Sequence, residues 1–148
     1  MTNATSTQPK ATTNNSLEDK TILFYDGDCA LCSFWVRFCL ERDHKKRLFF
    51  APLQGQTAAQ LLPVELRQNL HSVILWEKQN LWSKSEAILT ALRRIQYAPD
   101  LVFMAGLAPR GLLNFIYDWI ARNRRRWFGT ASDICPLLPV EQQRQILN

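Results

Sequence analysis

The stretch TILFYDGDCALC, residues 21–32, places two cysteines three positions apart directly after a short apolar run. Residues 21–25 are β-prone and predict a strand, and the Asp-Gly-Asp sequence that follows predicts a turn. We expect the next helix to run from about Cys29 to Arg42, with Asp28 as its N-cap. Its apolar residues include Leu31, Phe34, Trp35 and Phe38, which follow helical spacing. The cysteine pair is therefore expected at the start of a helix.

The rest of the chain predicts three more strands and several helices. The strands are expected at residues 47–51, 72–76 and 80–82. Helices are expected at residues 56–70, 83–96 and 109–127. The first of them is expected to be broken at Pro63. The apolar stripe of the second consists of Ile88, Leu89, Leu92 and Ile95. A helix between the first two strands predicts parallel pairing, and the short link between the last two predicts an antiparallel hairpin. The fold class is α/β, a thioredoxin-like βαβαββα core with additional C-terminal helices. That fold keeps its redox centre at the first strand-to-helix junction.

Length and composition fit one domain. The chain has 148 residues, of which 47% are hydrophobic and 21% charged, enough to bury a core. Residues 1–20 are rich in Thr, Asn and Ser and predict a disordered leader without the apolar region of a secretory signal. The domain is expected at residues 21–148, with a helical extension from about residue 97. Without a secretory signal, a disulfide framework is not expected, and we expect a cytoplasmic protein.

Positive charge is concentrated near the C-terminal end. The net charge is +5, and Arg110, Arg122, Arg124, Arg125 and Arg126 lie in one predicted helix. The cluster fits either a solvated helix end or a site for an anion or an acidic partner. Contact with a membrane surface is a minor alternative, because the most apolar stretch, residues 101–120, contains charges that oppose a membrane span. No nucleic-acid partner is expected, and the oligomeric state is left open.

The expected position of the cysteine pair at the start of a helix explains how its thiols could react. Cys29 at a helix N-terminus would have a lowered pKa, because unpaired N–H groups stabilise its thiolate. Cys32, one turn further on, is placed to resolve a mixed disulfide. Asp26 and Asp28 oppose this, because like charges disfavour a thiolate. One hypothesis is that Asp28 caps the helix while Asp26 exchanges a proton with Cys32; the alternative is that both are turn residues.

The remaining cysteines suggest no second pair. Cys39 lies about two helical turns, roughly 10 Å, beyond Cys32 and is predicted to be a core residue. Cys135 lies in a late loop. A zinc site drawing on these cysteines and a histidine would lack the second close ligand pair that structural zinc sites usually show, so no metal is expected. A metal-binding domain that uses the cysteine pair remains the alternative, as does a non-catalytic interaction module.

Four motifs together resemble the DCC family of predicted thiol-disulfide oxidoreductases. They are YDGDCALC at residues 25–32, FAPLQ at 50–54, SEA at 85–87, and YDWIARNR at 117–124 followed by WFG at 127–129. The resemblance covers about residues 21–139. It implies a thioredoxin-like domain that exchanges disulfides with a protein or a small-molecule thiol through Cys29 and Cys32. This would be a protein-disulfide reductase type of enzyme needing no organic cofactor, since the dithiol carries the electrons.

The resemblance also suggests supporting residues. His71 stands where thioredoxins place a cis-proline, so it would be free to tune the thiols or bind a metal. Ser85, Arg122, Asn123 and Arg124 belong to the matching motifs. We expect at least one arginine of this block near the cysteines, where it would offset Asp26 and Asp28 and stabilise the thiolate.

Overall fold

The computed structural model describes residue 17 and residues 19–69, 72–129 and 139–148. Within these ranges the strands are β1 Thr21–Tyr25, β2 Leu48–Pro52, β3 Ile74–Glu77 and β4 Asn80–Ser83. The helices are α1 Ala30–Arg42, α2 Gln56–Leu61, α3 Val64–Gln68, α4 Lys84–Arg94, α5 Pro99–Leu107, α6 Arg110–Phe128 and α7 Val140–Gln143. The predicted leader, residues 1–20, lies outside the described residues except for positions 17, 19 and 20.

The four strands form one sheet in the order β2-β1-β3-β4. Strand β1 is parallel to β2, with Thr21 opposite Leu48, and antiparallel to β3, with Leu23 opposite Leu75. A two-residue loop joins β3 to β4, and both of its residues have the positive φ that tight hairpin turns require. This topology confirms the predicted parallel pair and the predicted hairpin. The fold is an α/β fold of the thioredoxin-like kind.

Both faces of the sheet are covered by apolar side chains. Alternate residues of a strand point to opposite faces. On one face Leu23 and Leu75 pack with Val36 and Leu40 of α1 and with Ala87 of α4. On the other face the sheet packs against α2 and its flanking residues; the buried set there includes Ile22, Phe24, Ile74, Trp76, Ala58 and Leu62. Strand β1 is thus central, which fixes the position of the turn at its C-terminal end.

The predicted apolar set of α1 was only partly right: Trp35 and Phe38 pack against the core, whereas Phe34 does not. The buried residues of this helix are Cys32, Ser33, Val36, Cys39 and Leu40. Phe34, which was assigned to this set, is 62% exposed. Trp35 and Phe38 are half-buried and stack on each other with ring centroids 5.5 Å apart. Because α1 is apolar on most sides, periodicity alone did not identify the face that meets the sheet.

The long apolar stretch at residues 101–120 forms two helices. Helix α5 ends at Leu107 and α6 begins at Arg110, with Pro109 between them. None of the helices in the described ranges is both long and apolar enough to cross a membrane. Helix α6 returns to pack against α1, which brings residues near position 124 to the start of α1.

The C-terminal residues extend along the outer side of β2. Ile146 forms a parallel bridge with Phe50. The backbone N–H of Phe50 donates to Gln145 O at 2.8 Å, and that of Leu147 donates to Phe50 O at 2.7 Å. The Gln145 side chain is buried and donates to Asp43 Oδ2 and Leu48 O. This segment adds backbone pairing at an edge of the sheet, which was not predicted from the sequence.

Candidate active site

Cys29 itself caps the first helix. It precedes α1 in an extended conformation, and its Sγ accepts a hydrogen bond from the Cys32 backbone N–H at 3.5 Å. The predicted N-cap role of Asp28 was therefore wrong. Asp28 is exposed in the turn, and its backbone N–H donates to Asp26 Oδ1 at 3.1 Å. The first cysteine, rather than a carboxylate, receives the unpaired N–H groups of the helix N-terminus.

The surroundings of Cys29 favour its thiolate. The hydrogen bond from the Cys32 side chain is the largest influence and, with the Cys32 backbone N–H and the positive charge of Arg124, lowers the Cys29 pKa from 9.0 to about 6. Burial acts in the opposite direction, because the Cys29 side chain has no exposed surface. The stabilising groups prevail, so Cys29 is largely a thiolate at neutral pH.

The surroundings of Cys32 favour its thiol. Its hydrogen bond to Cys29 raises the Cys32 pKa most, and burial and the negative charge of Cys29 raise it further. Arg124 Nη1 donates to Cys32 Sγ at 3.1 Å and acts in the opposite direction. The two cysteines therefore differ in protonation: one is a thiolate that accepts a hydrogen bond and the other is the thiol that donates it.

Arg124 joins the cysteines to a buried carboxylate. Besides contacting Cys32, it donates from Nη2 to Asp26 Oδ2 at 3.1 Å. Both side chains are buried, with 4% and 0% of their surfaces exposed. Arg125, which is half exposed, reaches the same oxygen at 3.4 Å. The negative charge of Asp26 is thus paired, as buried charges must be, and it holds the guanidinium against the sulfur.

Gln54 holds the turn that carries Asp26. Its Nε2 donates to Asp26 Oδ1 at 3.1 Å, and its Oε1 accepts from the Gly27 backbone N–H at 3.3 Å. The residue follows β2, which lies beside β1, so the parallel pairing brings it to the turn. We did not select Gln54 from the sequence, although it is the last residue of the FAPLQ motif.

The other predicted supporting residues lie elsewhere or outside the described ranges. The Ser85 hydroxyl donates to Asn114 Oδ1 and links α4 to α6. The Asn123 side chain donates to Trp119 O within its own helix, and Arg122 is exposed. His71 and Cys135 are not among the described residues. Of the predicted set, the structure brings together Asp26, Cys29, Cys32 and Arg124, with Asp28 in the adjoining turn.

Two further observations concern cysteine and metal chemistry. Cys39 is completely buried, as predicted for a core residue, and burial raises its pKa to about 12. In the described part of the chain, no group of three or more His, Cys, Asp or Glu side chains could hold a metal ion. Within those limits, the reactive chemistry is concentrated at the pair at the start of α1.

A thioredoxin-like sheet with a cysteine pair at the junction between β1 and α1 is typical of dithiol domains. Comparison with known proteins identifies the family within this class. The family model for DCC1-like thiol-disulfide oxidoreductase matches residues 23–130, and the chain belongs to this family. The family assignment supports a role in thiol-disulfide chemistry.

The chain is similar to two other proteins over most of its length. The chain is 35% identical to a chloroplastic DCC family protein of Arabidopsis thaliana over 132 residues, which are 86% of this chain and 76% of that protein. It is 28% identical to the uncharacterized protein YuxK of Bacillus subtilis over 114 residues, which are 76% of this chain and 83% of that protein. No solved structure matches the chain.

Proposed function

We propose that the protein is a thiol-disulfide oxidoreductase in which Cys29 attacks and Cys32 resolves. The observation that supports this most directly is the opposite shift of the two thiol pKa values within one hydrogen-bonded pair. Only a thiolate is an efficient nucleophile, and Cys29 is the cysteine whose thiolate is stabilised. The family assignment supports the same chemistry.

The proposed reaction reduces a disulfide RS–SR′. The Cys29 thiolate attacks the sulfur that carries R, the substrate S–S bond breaks as a bond forms between that sulfur and Cys29 Sγ, and R′S⁻ leaves. The Cys32 thiol then loses its proton to the released thiolate. The Cys32 thiolate attacks Cys29 Sγ and releases RS⁻, which leaves a Cys29–Cys32 disulfide. Two electrons pass from the dithiol to the substrate.

Arg124 and Asp26 are positioning residues in this proposal. Once Cys29 is bound to the substrate, its negative charge is lost, and with it one cause of the raised Cys32 pKa. Arg124 remains against Cys32 Sγ and stabilises the thiolate that must form there. The hypothesis that Asp26 exchanges a proton with Cys32 stays a prediction; in the described contacts the two side chains are connected by Arg124.

A redox titration tests the proposal. Chelator-treated protein is equilibrated in dithiothreitol or glutathione buffers, free thiols are trapped by alkylation, and the peptides are weighed. We expect a reversible two-electron transition confined to the peptide that carries Cys29 and Cys32. A Cys39→Ser variant serves as control and should give the same midpoint. If the pair stays reduced in every buffer, or becomes alkylated only after a metal is stripped, the oxidoreductase proposal fails.

A further inference from the structure

An apolar cavity opens beside the second cysteine. Its volume is about 260 Å³, and it lies between α1 and α6. Its lining includes Leu31, Cys32, Trp35, Ile88, Ile120 and Ala121. An apolar cavity of about 150 Å³ can hold benzene, so this one has room for an organic group of roughly ten heavy atoms.

The wall of the cavity is almost entirely carbon. Two residues with polar side chains border it, and both contact protein groups: Tyr117 Oη accepts from the Val73 backbone N–H, and Arg124 Nη1 and Nη2 donate to Cys32 Sγ and Asp26 Oδ2. A hydroxyl or a charged group in the cavity would lose its hydrogen bonds to water with little in return. The cavity therefore favours an apolar occupant.

The sulfur atoms themselves are shielded from large partners. Cys29 is 0% exposed and Cys32 is 5% exposed. A disulfide on the surface of a folded protein cannot enter a cavity of this size, whereas a small organic molecule can. The cavity borders Cys32, so an organic group inside it would lie next to the cysteine whose backbone N–H donates to Cys29 Sγ.

From these three features we infer that the cavity holds the apolar substituent of a small organic disulfide. The inference rests on the proposed function and narrows its substrate class. The Cys29 thiolate attacks the sulfur that bears the substituent R in the cavity, giving a Cys29–S–S–R bond and a free RS⁻. The proton of Cys32 passes to that thiolate, and Cys32 then displaces the second RS⁻. The substrate gains two electrons, and the protein is left as the Cys29–Cys32 disulfide.

Two nearly isosteric disulfides provide the test. Di-n-propyl disulfide and bis(2-hydroxyethyl) disulfide differ by a terminal methyl group or hydroxyl group on each chain. The rate at which each oxidises the reduced protein is divided by its rate with free dithiothreitol, to remove intrinsic reactivity. We expect the normalised rate to be about tenfold higher for the propyl compound, because a hydroxyl without a partner is costly to bury. Equal normalised rates would overturn the inference.

Filling the cavity gives a second test. In Ala121→Phe the new ring projects from a lining position, and the propyl preference should fall at least about fivefold, since the apolar volume is lost. Ile88→Phe fills the cavity from α4 and should act likewise if the first variant folds poorly. Ala59→Phe, at an exposed site on α2, is the matched control and should keep the preference. An unchanged preference in a folded cavity variant contradicts the inference.

The dithiothreitol titration distinguishes failure of the inferred substrate class from failure of the proposed function. A protein that forms the Cys29–Cys32 disulfide reversibly but treats both small disulfides alike retains the proposed function and loses only the inferred substrate class. A protein that forms no such disulfide loses the proposed function itself.

Discussion

At the scale of single residues, Arg124 organises the candidate site. It contacts a cysteine 92 positions earlier and an aspartate 98 positions earlier. The sequence predicted that one arginine of the 122–126 block would lie near the cysteines, but it did not identify which one. That depends on the rotational phase of α6 against α1, and four arginines close together give no local signal for it.

Removing Arg124 should make the Cys29 thiolate less stable relative to its thiol. In Arg124→Ala we expect the Cys29 pKa to rise from about 6 by about one unit, because a nearby positive charge is lost. The pH dependence of the alkylation rate measures this value. Arg126→Ala removes an exposed arginine from the same helix and is the control. The same titration curve in Arg124→Ala and the wild type would show that the guanidinium does not tune the thiol.

The lowered Cys29 pKa also predicts how the reduced protein responds to pH. The folded protein binds fewer protons at Cys29 than the unfolded chain between pH 6 and 9, so this contribution to stability grows with pH in that window. It is fully present above about pH 9 and is lost as pH falls through about 6. The free energy of unfolding of reduced wild type, measured relative to Cys29→Ser by urea denaturation, should therefore increase from pH 6 to 8.

Cys39→Ser is the control for this experiment. Burial raises the Cys39 pKa to about 12, so Cys39 is protonated in both states between pH 6 and 8. The difference in the free energy of unfolding between Cys39→Ser and the wild type should not change with pH in that range. A flat profile for Cys29→Ser as well would contradict the stabilised thiolate.

At the scale of elements, local patterns predicted most strands and helices, and the errors have physical causes. The break at Pro63 and the β3–β4 hairpin follow from turn chemistry and were confirmed. Helix α5 lies within the helical extension predicted from about residue 97, but its bounds were not predicted, because residues 101–120 form an almost continuous apolar stretch. The predicted apolar set of α1 was only partly right because this helix meets the sheet, α6 and an aromatic cluster on different sides. Tertiary packing, rather than periodicity, selected its face.

Tyr117 connects two elements in a way that can be tested. Its Oη accepts a hydrogen bond from the Val73 backbone N–H at 2.7 Å, just before β3. In Tyr117→Phe this N–H loses its partner, and we expect the free energy of unfolding to fall by about 1–3 kcal/mol. Tyr97→Phe keeps the ring that packs edge-on against Phe38 and should change stability by less than about 0.5 kcal/mol. Equal losses in both variants would show that the Tyr117 bond contributes little.

At the scale of the whole molecule, the sequence predicted two of the three strand pairings but not the strand order or the long-range contacts. The parallel pairing of β1 with β2 and the β3–β4 hairpin followed from the lengths of the connections. The return of α6 onto α1, and the C-terminal segment beside β2, join parts of the chain about 90 residues apart or more. These contacts depend on packing and carry no local sequence signal, which is why Gln54, Tyr117 and Gln145 were not selected.

Gln145 anchors the C-terminal segment to the domain. Its side chain is 3% exposed and bridges Asp43 and Leu48. In Gln145→Ala we expect a loss of about 1–3 kcal/mol in the free energy of unfolding, because buried groups lose their partner. Gln60→Ala, at an exposed helix position, is the matched control and should be nearly neutral. Chemical denaturation measures the free energy of unfolding of both variants. Equal values for the two would show that the Gln145 side chain does not contribute to stability.

The backbone bonds between this segment and Phe50 have a consequence for solution behaviour. An uncovered outer strand presents a row of unpaired N–H and C=O groups that can recruit a strand from another molecule. Ile146 and its neighbours occupy that position along β2 within the same chain. Deleting residues 145–148 would open a template for intermolecular β-pairing, so the shortened chain should form oligomers and aggregates at concentrations where the full chain does not.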